Sequence, residues 1–235
     1  DCSPASLPGG GTDCRSRPRP AGFVEAAPVS APSFLNTQLM PRGIKDPLVL
    51  CAMRAVPRHL FVPDALVANA YDDNPLPIGH DQTISQPYIV AFMTQALALS
   101  GGERILEIGT GSGYQAAVLA EIVEQVFTIE IVPALAHEAM ARLSRMHYGN
   151  VHVRIGDGYG GWPEGGPFDG IVVTAAPDHV PPALIEQLKP GGRMIVPVGG
   201  ASQELILITR TETGSARTPV LPVRFVPMTG EACRT

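Results

Sequence analysis

The spacing of apolar and polar positions divides this chain into three stretches of different character. From Glu103 onward, short apolar runs of strand type alternate with stretches of helical period. Strands are expected near Arg104–Ile108, Val126–Glu130, Val151–Ile155, Gly170–Thr174 and Arg193–Val198. Helices are expected near Tyr114–Ile122, Pro133–His147 and Pro182–Leu188. This alternation predicts an α/β fold, a doubly wound, mostly parallel sheet with helices on both faces. After Lys189-Pro190-Gly191-Gly192 come two more strands, Glu204–Arg210 and Val220–Val226, with no helix between them. They predict an antiparallel hairpin at the sheet edge.

The stretch before Glu103 reads differently. Phe34 to Val56 has helical character with a break at Pro41, and Asp46-Pro47 is a helix-start signal. Pro57 ends that helix, and Asp64 to Tyr71 suggests another. Asp72 to Gln82 carries Pro75, Pro77 and Gly79 and reads as a loop. Ser85-Gln86-Pro87 then opens an apolar helix running to about Leu99. Residues 1–32 are rich in Pro, Gly, Ser and Arg and lack hydrophobic period, which predicts a disordered tail. The expected organisation is that tail followed by one domain over 33–235. Within it, 33–100 forms a helical cap on the substrate side and 101–235 a Rossmann-like core.

Composition narrows the partners. With 45% hydrophobic residues the chain can bury a sizeable core, and its net charge of -5 without a basic patch argues against nucleic acid. No apolar run is long enough for a membrane span. The cysteines are Cys2, Cys14, Cys51 and Cys233, with no C-x-x-C, so no metal site is indicated. Four free thiols in a reducing cytoplasm are expected; a Cys2–Cys14 pair in an exported protein is the alternative. A monomer is expected.

The candidate chemistry lies between Arg104 and Glu130. A strand ends in Glu107-Ile108, then comes the turn Gly109-Thr110-Gly111-Ser112-Gly113, a helix, and a second strand ending in Glu130. Glycines in such a turn admit close approach of a ligand, and an acid closing the second strand can accept the hydroxyls of a ribose. A dinucleotide fingerprint needs Gly where this chain has Tyr114. Glu107 would repel a pyrophosphate and attract a cation, so the charge logic favours S-adenosyl-L-methionine over NAD. The alternative is a βαβ turn whose glycines only ease packing. No H-E-x-x-H, G-x-S-x-G or Walker lysine is present, and the six histidines are scattered; His80 and His179 fall in loops expected to border the pocket.

Beyond the turn, several blocks resemble the protein-L-isoaspartate O-methyltransferases: Ala55-Val56-Pro57-Arg58-His59-Leu60-Phe61-Val62-Pro63, Gln82-Thr83-Ile84-Ser85-Gln86-Pro87, Leu106 to Tyr114, Gly156-Asp157-Gly158, Phe168 to Ala176, and Phe225-Val226-Pro227-Met228-Thr229. The likeness covers about Asn36 to Thr229. It implies a class I methyltransferase fold. It also implies methyl transfer from S-adenosyl-L-methionine to the α-carboxylate of L-isoaspartyl residues in damaged proteins and peptides. The ester then closes to a succinimide that partly reopens to aspartate. The family's functional Ser falls on Ser85, and its adenosine contacts on Glu107, Glu130, Asp157 and Gly158.

Cofactor contacts are further expected from Gln82, Thr83, Ile84, Ser85, Gly109, Thr110, Gly111, Ser112, Gly113, Ile131, Gly156, Thr174 and Thr229. Substrate contacts are expected from Ile84, Ser85, Ala175, Ala176 and Val226. One departure is Asp81, where the family pattern leads to Gly.

Each role has a plainer alternative. Ser85 stands at an expected helix start, so it either touches the substrate carboxylate or caps the helix. Asp157 either accepts from the adenine amino group or serves a turn, Glu130 is either a ribose ligand or a solvated strand end, and Thr83 either faces the pocket or serves a turn. Asp169 opens a strand and either fixes a loop or steadies a neighbouring N–H. A carboxylate substrate is already ionised at neutral pH, so methyl transfer requires placement rather than a general base. Competing functions are methylation of another carboxylate in a small molecule or biosynthetic peptide, and non-catalytic binding of S-adenosylmethionine.

Overall fold

The computed structural model describes residues 31–233. The expected tail and a Cys2–Cys14 pair therefore lie outside the described residues. The first elements are a helical turn α1 (Ala31–Phe34), a π turn at Leu35–Leu39 and a 3-10 turn at Met40–Arg42. Helix α2 (Pro47–Ala55) begins as the sequence predicts: the Asp46 side chain accepts from the Leu48 N–H at 2.9 Å, with Pro47 in the first position. Asp64–Asn69 forms a 3-10 helix.

Two expectations fail here. Residues 72–82 are not all loop: β1 (Leu76–Gly79) pairs antiparallel with β2 (Gln82–Ile84). The turn between them holds His80 at φ 53° and Asp81 at φ 57°, the left-handed backbone of primed hairpin turns. Asp81 thus occupies a left-handed position that glycine would adopt without strain. The second correction concerns cysteine. Cys51, on α2, is disulfide-bonded, so the four cysteines are not all free thiols.

Helix α3 (Pro87–Ala96) leads into the core, which runs β3 (Arg104–Ile108), α4 (Tyr114–Ala120), β4 (Gln125–Glu130), α5 (Pro133–Arg145), β5 (Val151–Ile155), β6 (Phe168–Val173), α6 (Pro182–Glu186), β7 (Leu188–Val198), β8 (Gln203–Thr211) and β9 (Gly214–Val223). The seven strands lie in the order β5-β4-β3-β6-β7-β8-β9. β3 to β7 are parallel, whereas β8 and β9 pair antiparallel. The terminal hairpin at the sheet edge is as expected. β7 begins earlier than its apolar run, at Leu188, because Phe168 pairs with Leu188 ahead of a register shift.

Alternation along β3 sends its side chains to two faces. Ile105 joins a cluster with α2, α3, α4 and the segments before them. Leu106 and Ile108 join a second cluster on the opposite face, with Leu184 of α6. Cap and core therefore share the first cluster, and 33–100 has no separate hydrophobic centre. β4 runs away from β3 on one side and β6 returns on the other, so the carboxyl ends of β3 and β6 flank a switch point, where open α/β sheets bind ligands.

Candidate active site

Three adjoining cavities open at that switch point. The first is lined by Gly109 and Gly111 after β3, Glu130 and Ile131 at the end of β4, Gly158 after β5, Thr174 and Ala175 after β6, and Val226 to Thr229 beyond β9. A small one holds Ile84, Glu107, Thr110 and Ser112. The third, about 490 Å³, lies between the start of α3 and the chain after β9. Thr83 and Thr174 line all three, and Ser85 lines the last two.

The turn after β3 is bent by its glycines. Gly109 has φ 95°, and a Cβ there would stand 2.4 Å from Thr174 Oγ1. Gly113 has φ 87° and packs on Leu143 of α5, away from the cavities. Thr174 Oγ1 lies 2.9 Å from the Ile108 carbonyl and 2.7 Å from that of Gly109, which ties β6 to the turn.

The two acids differ sharply. Glu107 shares a face with Ile105 and is fully buried. Its register partner Thr128 donates to Oε2 at 2.6 Å, and Oε1 has no hydrogen-bond partner. Burial pushes its pKa up to about 8; the Thr128 bond opposes this, and the nearby Glu130 charge adds to it. Glu130, 5% exposed, accepts from Gly111 N–H at 2.7 Å and Val132 N–H at 2.9 Å. It therefore braces the glycine turn while each oxygen keeps a lone pair for another donor.

The oxygens of Asp157 accept from Tyr159 N–H at 2.9 Å and Glu231 N–H at 2.7 Å; Asp157 does not line these three cavities, nor do Gly113, Gly156 and Ala176. Ala176 instead bridges to Pro227, pinning the segment after β9 against the site. Asp169 is structural: it accepts from the Arg104 N–H and pairs with Lys189 at 2.7 Å. His80 stands in the hairpin turn, and His179 meets the Tyr159 hydroxyl at 2.8 Å.

Ser85 is not the cap of α3. That position belongs to Gln86, whose side chain makes no cap bond, and Asp73 supplies the missing acceptor by taking the Tyr88 N–H at 3.1 Å. Asp73 also accepts from Gln86 Nε2 at 2.7 Å and pairs with Arg42. Sequence reasoning missed Asp73 and Arg42, which meet α3 only through the tertiary fold. It also missed Pro227 and Met228 as lining, although the block Phe225 to Thr229 had pointed to them.

The model of the family described as protein-L-isoaspartate(D-aspartate) O-methyltransferase matches residues 25–233. The chain belongs to this family. A protein-L-isoaspartate O-methyltransferase of Opitutus terrae is 56% identical over 213 residues, covering 90% of this chain and 91% of that protein. A second such enzyme, from Syntrophobacter fumaroxidans, is 60% identical over 188 residues, with 79% and 76% covered. Among solved structures, one of Plasmodium falciparum in complex with S-adenosyl-L-homocysteine aligns with a TM-score of 0.74 at 27% identity, covering 85% of this chain and 98% of that one.

As a member of the family this chain is a methyltransferase dependent on S-adenosyl-L-methionine. Its fold is that of the class I methyltransferases, with the antiparallel hairpin closing the sheet. The residues present fit the cofactor. A buried carboxyl with one unpartnered oxygen suits a cationic ligand, and a second acid across the glycine turn retains acceptor capacity for hydroxyls.

Proposed function

We propose that this chain methylates the α-carboxylate of L-isoaspartyl residues in damaged proteins and peptides, with Ser85 at the meeting point of substrate and cofactor. The observation that carries this reading is the position of Ser85. Its residue lines both the 490 Å³ cavity and the small cavity beside Glu107. Its hydroxyl has no intramolecular hydrogen bond among the described residues and is free to donate to a carboxylate oxygen.

When bound, S-adenosyl-L-methionine supplies an electrophilic methyl group on a sulfonium sulfur. Glu107 faces the cationic part of the cofactor, Glu130 takes the ribose hydroxyls, and Gly109 and Gly111 let the backbone come close. Asp157 reaches the cofactor through the segment it anchors at Glu231, and any bond to adenine uses its remaining lone pairs. Ser85 and Thr83 orient the substrate carboxylate, and the small Ala175 leaves it room. No proton has to be removed, so placement of the oxygen supplies the acceleration. The labour divides between residues 33–100, which present the substrate, and 101–235, which hold the cofactor.

The proposed partners are isoaspartyl proteins and peptides, without nucleic acid, membrane or a second subunit. Among the described residues no helix is long and apolar enough to cross a membrane. For location, the disulfide at Cys51 favours an oxidising compartment over the cytoplasm. Counting thiols in the denatured, unreduced protein tests this: four would restore the cytoplasmic reading.

The activity is tested by labelled methyl transfer to an isoaspartyl peptide and to its aspartyl isomer. Transfer confined to the isoaspartyl form is expected. Equal transfer to both, or transfer only to a small acid, would overturn the proposal.

A further inference from the structure

The 490 Å³ cavity has a charge that the molecule as a whole lacks. The chain carries a net charge of -5, yet two arginines, Arg42 and Arg224, line this cavity and no Asp or Glu does. The two differ in freedom. Arg42 is committed: it pairs with Asp73 and its guanidinium stacks 3.4 Å above the centre of the Tyr88 ring. Arg224 is exposed and makes no hydrogen bond or ion pair among the described residues. Glu204, an acid of the adjacent strand, stands opposite Pro222 in register and forms no ion pair with Arg224.

Arg224 is nevertheless held in place at its backbone. It follows β9, and the next residue is clamped: Phe225 N–H donates to Gln203 Oε1 at 2.6 Å and the Phe225 carbonyl accepts from Gln203 Nε2 at 3.1 Å. The Val226 carbonyl accepts from Ala176 N–H at 2.8 Å. A long cationic side chain is thus mounted on a fixed wall of the cavity that also contains Ser85. A peptide with its isoaspartyl carboxylate at Ser85 would enter the cavity that this wall bounds.

We infer that Arg224 is a specificity-determining residue that recognises an acidic side chain flanking the isoaspartyl residue. The inference rests on the isoaspartyl reading above and extends it to the neighbouring residues of the substrate. A guanidinium offers a planar fork of donors that matches a carboxylate. The pair would form in a partly enclosed cleft, where the field of an isolated cation is stronger than on an open surface.

The test uses the full chain and three peptides identical except for the residues beside isoaspartate, which are Glu, Gln or Lys. Wild type is expected to show a KM about three- to tenfold lower for the Glu than for the Lys peptide, with similar kcat. Arg224→Gln should bring the ratio near one, and Arg224→Glu should reverse it. The ratio between peptides is the readout, so a general loss of activity does not mimic the effect, and a melting curve reports folding. The wild-type ratio should shrink in about 0.5 M salt, where screening is short-ranged.

A wild-type enzyme that ignores the flanking charge overturns the inference, as does a preference that survives Arg224→Glu. Methylation of the Gln peptide reads the parent activity separately. Its absence overturns the isoaspartyl reading itself, and this inference with it.

Discussion

Two residues separate positioning from binding. Ser85→Ala should lower methyl transfer by about 10²-fold, the usual effect of misplacing a reacting atom. The melting temperature should stay unchanged, because Asp73 rather than Ser85 caps α3. A melting point that falls while the rate holds would return Ser85 to a structural role. Glu107 gives a pH-dependent signature. Its carboxyl is neutral up to about pH 8 in the folded, cofactor-free protein, against an ordinary value of 4.5.

Between those values the folded chain holds a proton that the unfolded chain has released. Stability therefore falls as pH rises through that window and levels off above it. Glu107→Gln mimics the neutral acid, so its melting temperature should gain on wild type from about pH 5 to 8. Cofactor affinity should drop. Binding of the cationic cofactor near neutral pH should release about one proton from Glu107, read by calorimetry in two buffers of different ionisation enthalpy. Equal heats in both buffers would remove Glu107 from the cationic part of the cofactor.

At the scale of elements, the start of α3 depends on a residue outside it. Asp73→Ala removes the acceptor for the Tyr88 N–H and the partner of Arg42. A loss of about 1–2 kcal/mol is expected by denaturant titration, along with a lower rate, because Ser85 precedes this turn. A stable variant with full activity would show that Ser85 is held from elsewhere.

β3 and β5 were legible to the residue, because Arg104–Ile108 is a largely apolar run and Val151–Ile155 alternates apolar with polar residues, and each is followed by glycine. The β1–β2 hairpin was not, because Leu76-Pro77-Ile78-Gly79 reads as loop and its turn uses His and Asp where glycine is usual. Glu107, Glu130 and Ser85 were legible as site residues from the glycine turn and the Thr83-Ile84-Ser85 block. Asp73 and Arg42 were invisible, since nothing local links them to α3. Asp157 was found by its block, but the contact it makes with Glu231 is long-range.

At the scale of the molecule, the cap and the core share one hydrophobic cluster, in which Phe34, Met53 and Val90 belong with Ile105, Leu119 and Val126. They should unfold as one unit. The single tryptophan, Trp162, packs with Phe127 on the opposite face of the sheet. Its fluorescence and the far-ultraviolet circular dichroism should therefore follow one denaturant curve. A cap that melted first would split the two signals.

The strap formed by Val226 to Thr229 sets an order of assembly. The parallel strands β3 to β7 are all synthesised before this segment, yet the first cavity lacks a wall until it arrives. On the ribosome, the sheet can form while the site is still open on one side. Binding competence then appears after the bulk of the fold, once Ala176 has met Pro227 and Asp157 has met Glu231. A released chain that stopped after β9 would carry every strand of the sheet without a complete site.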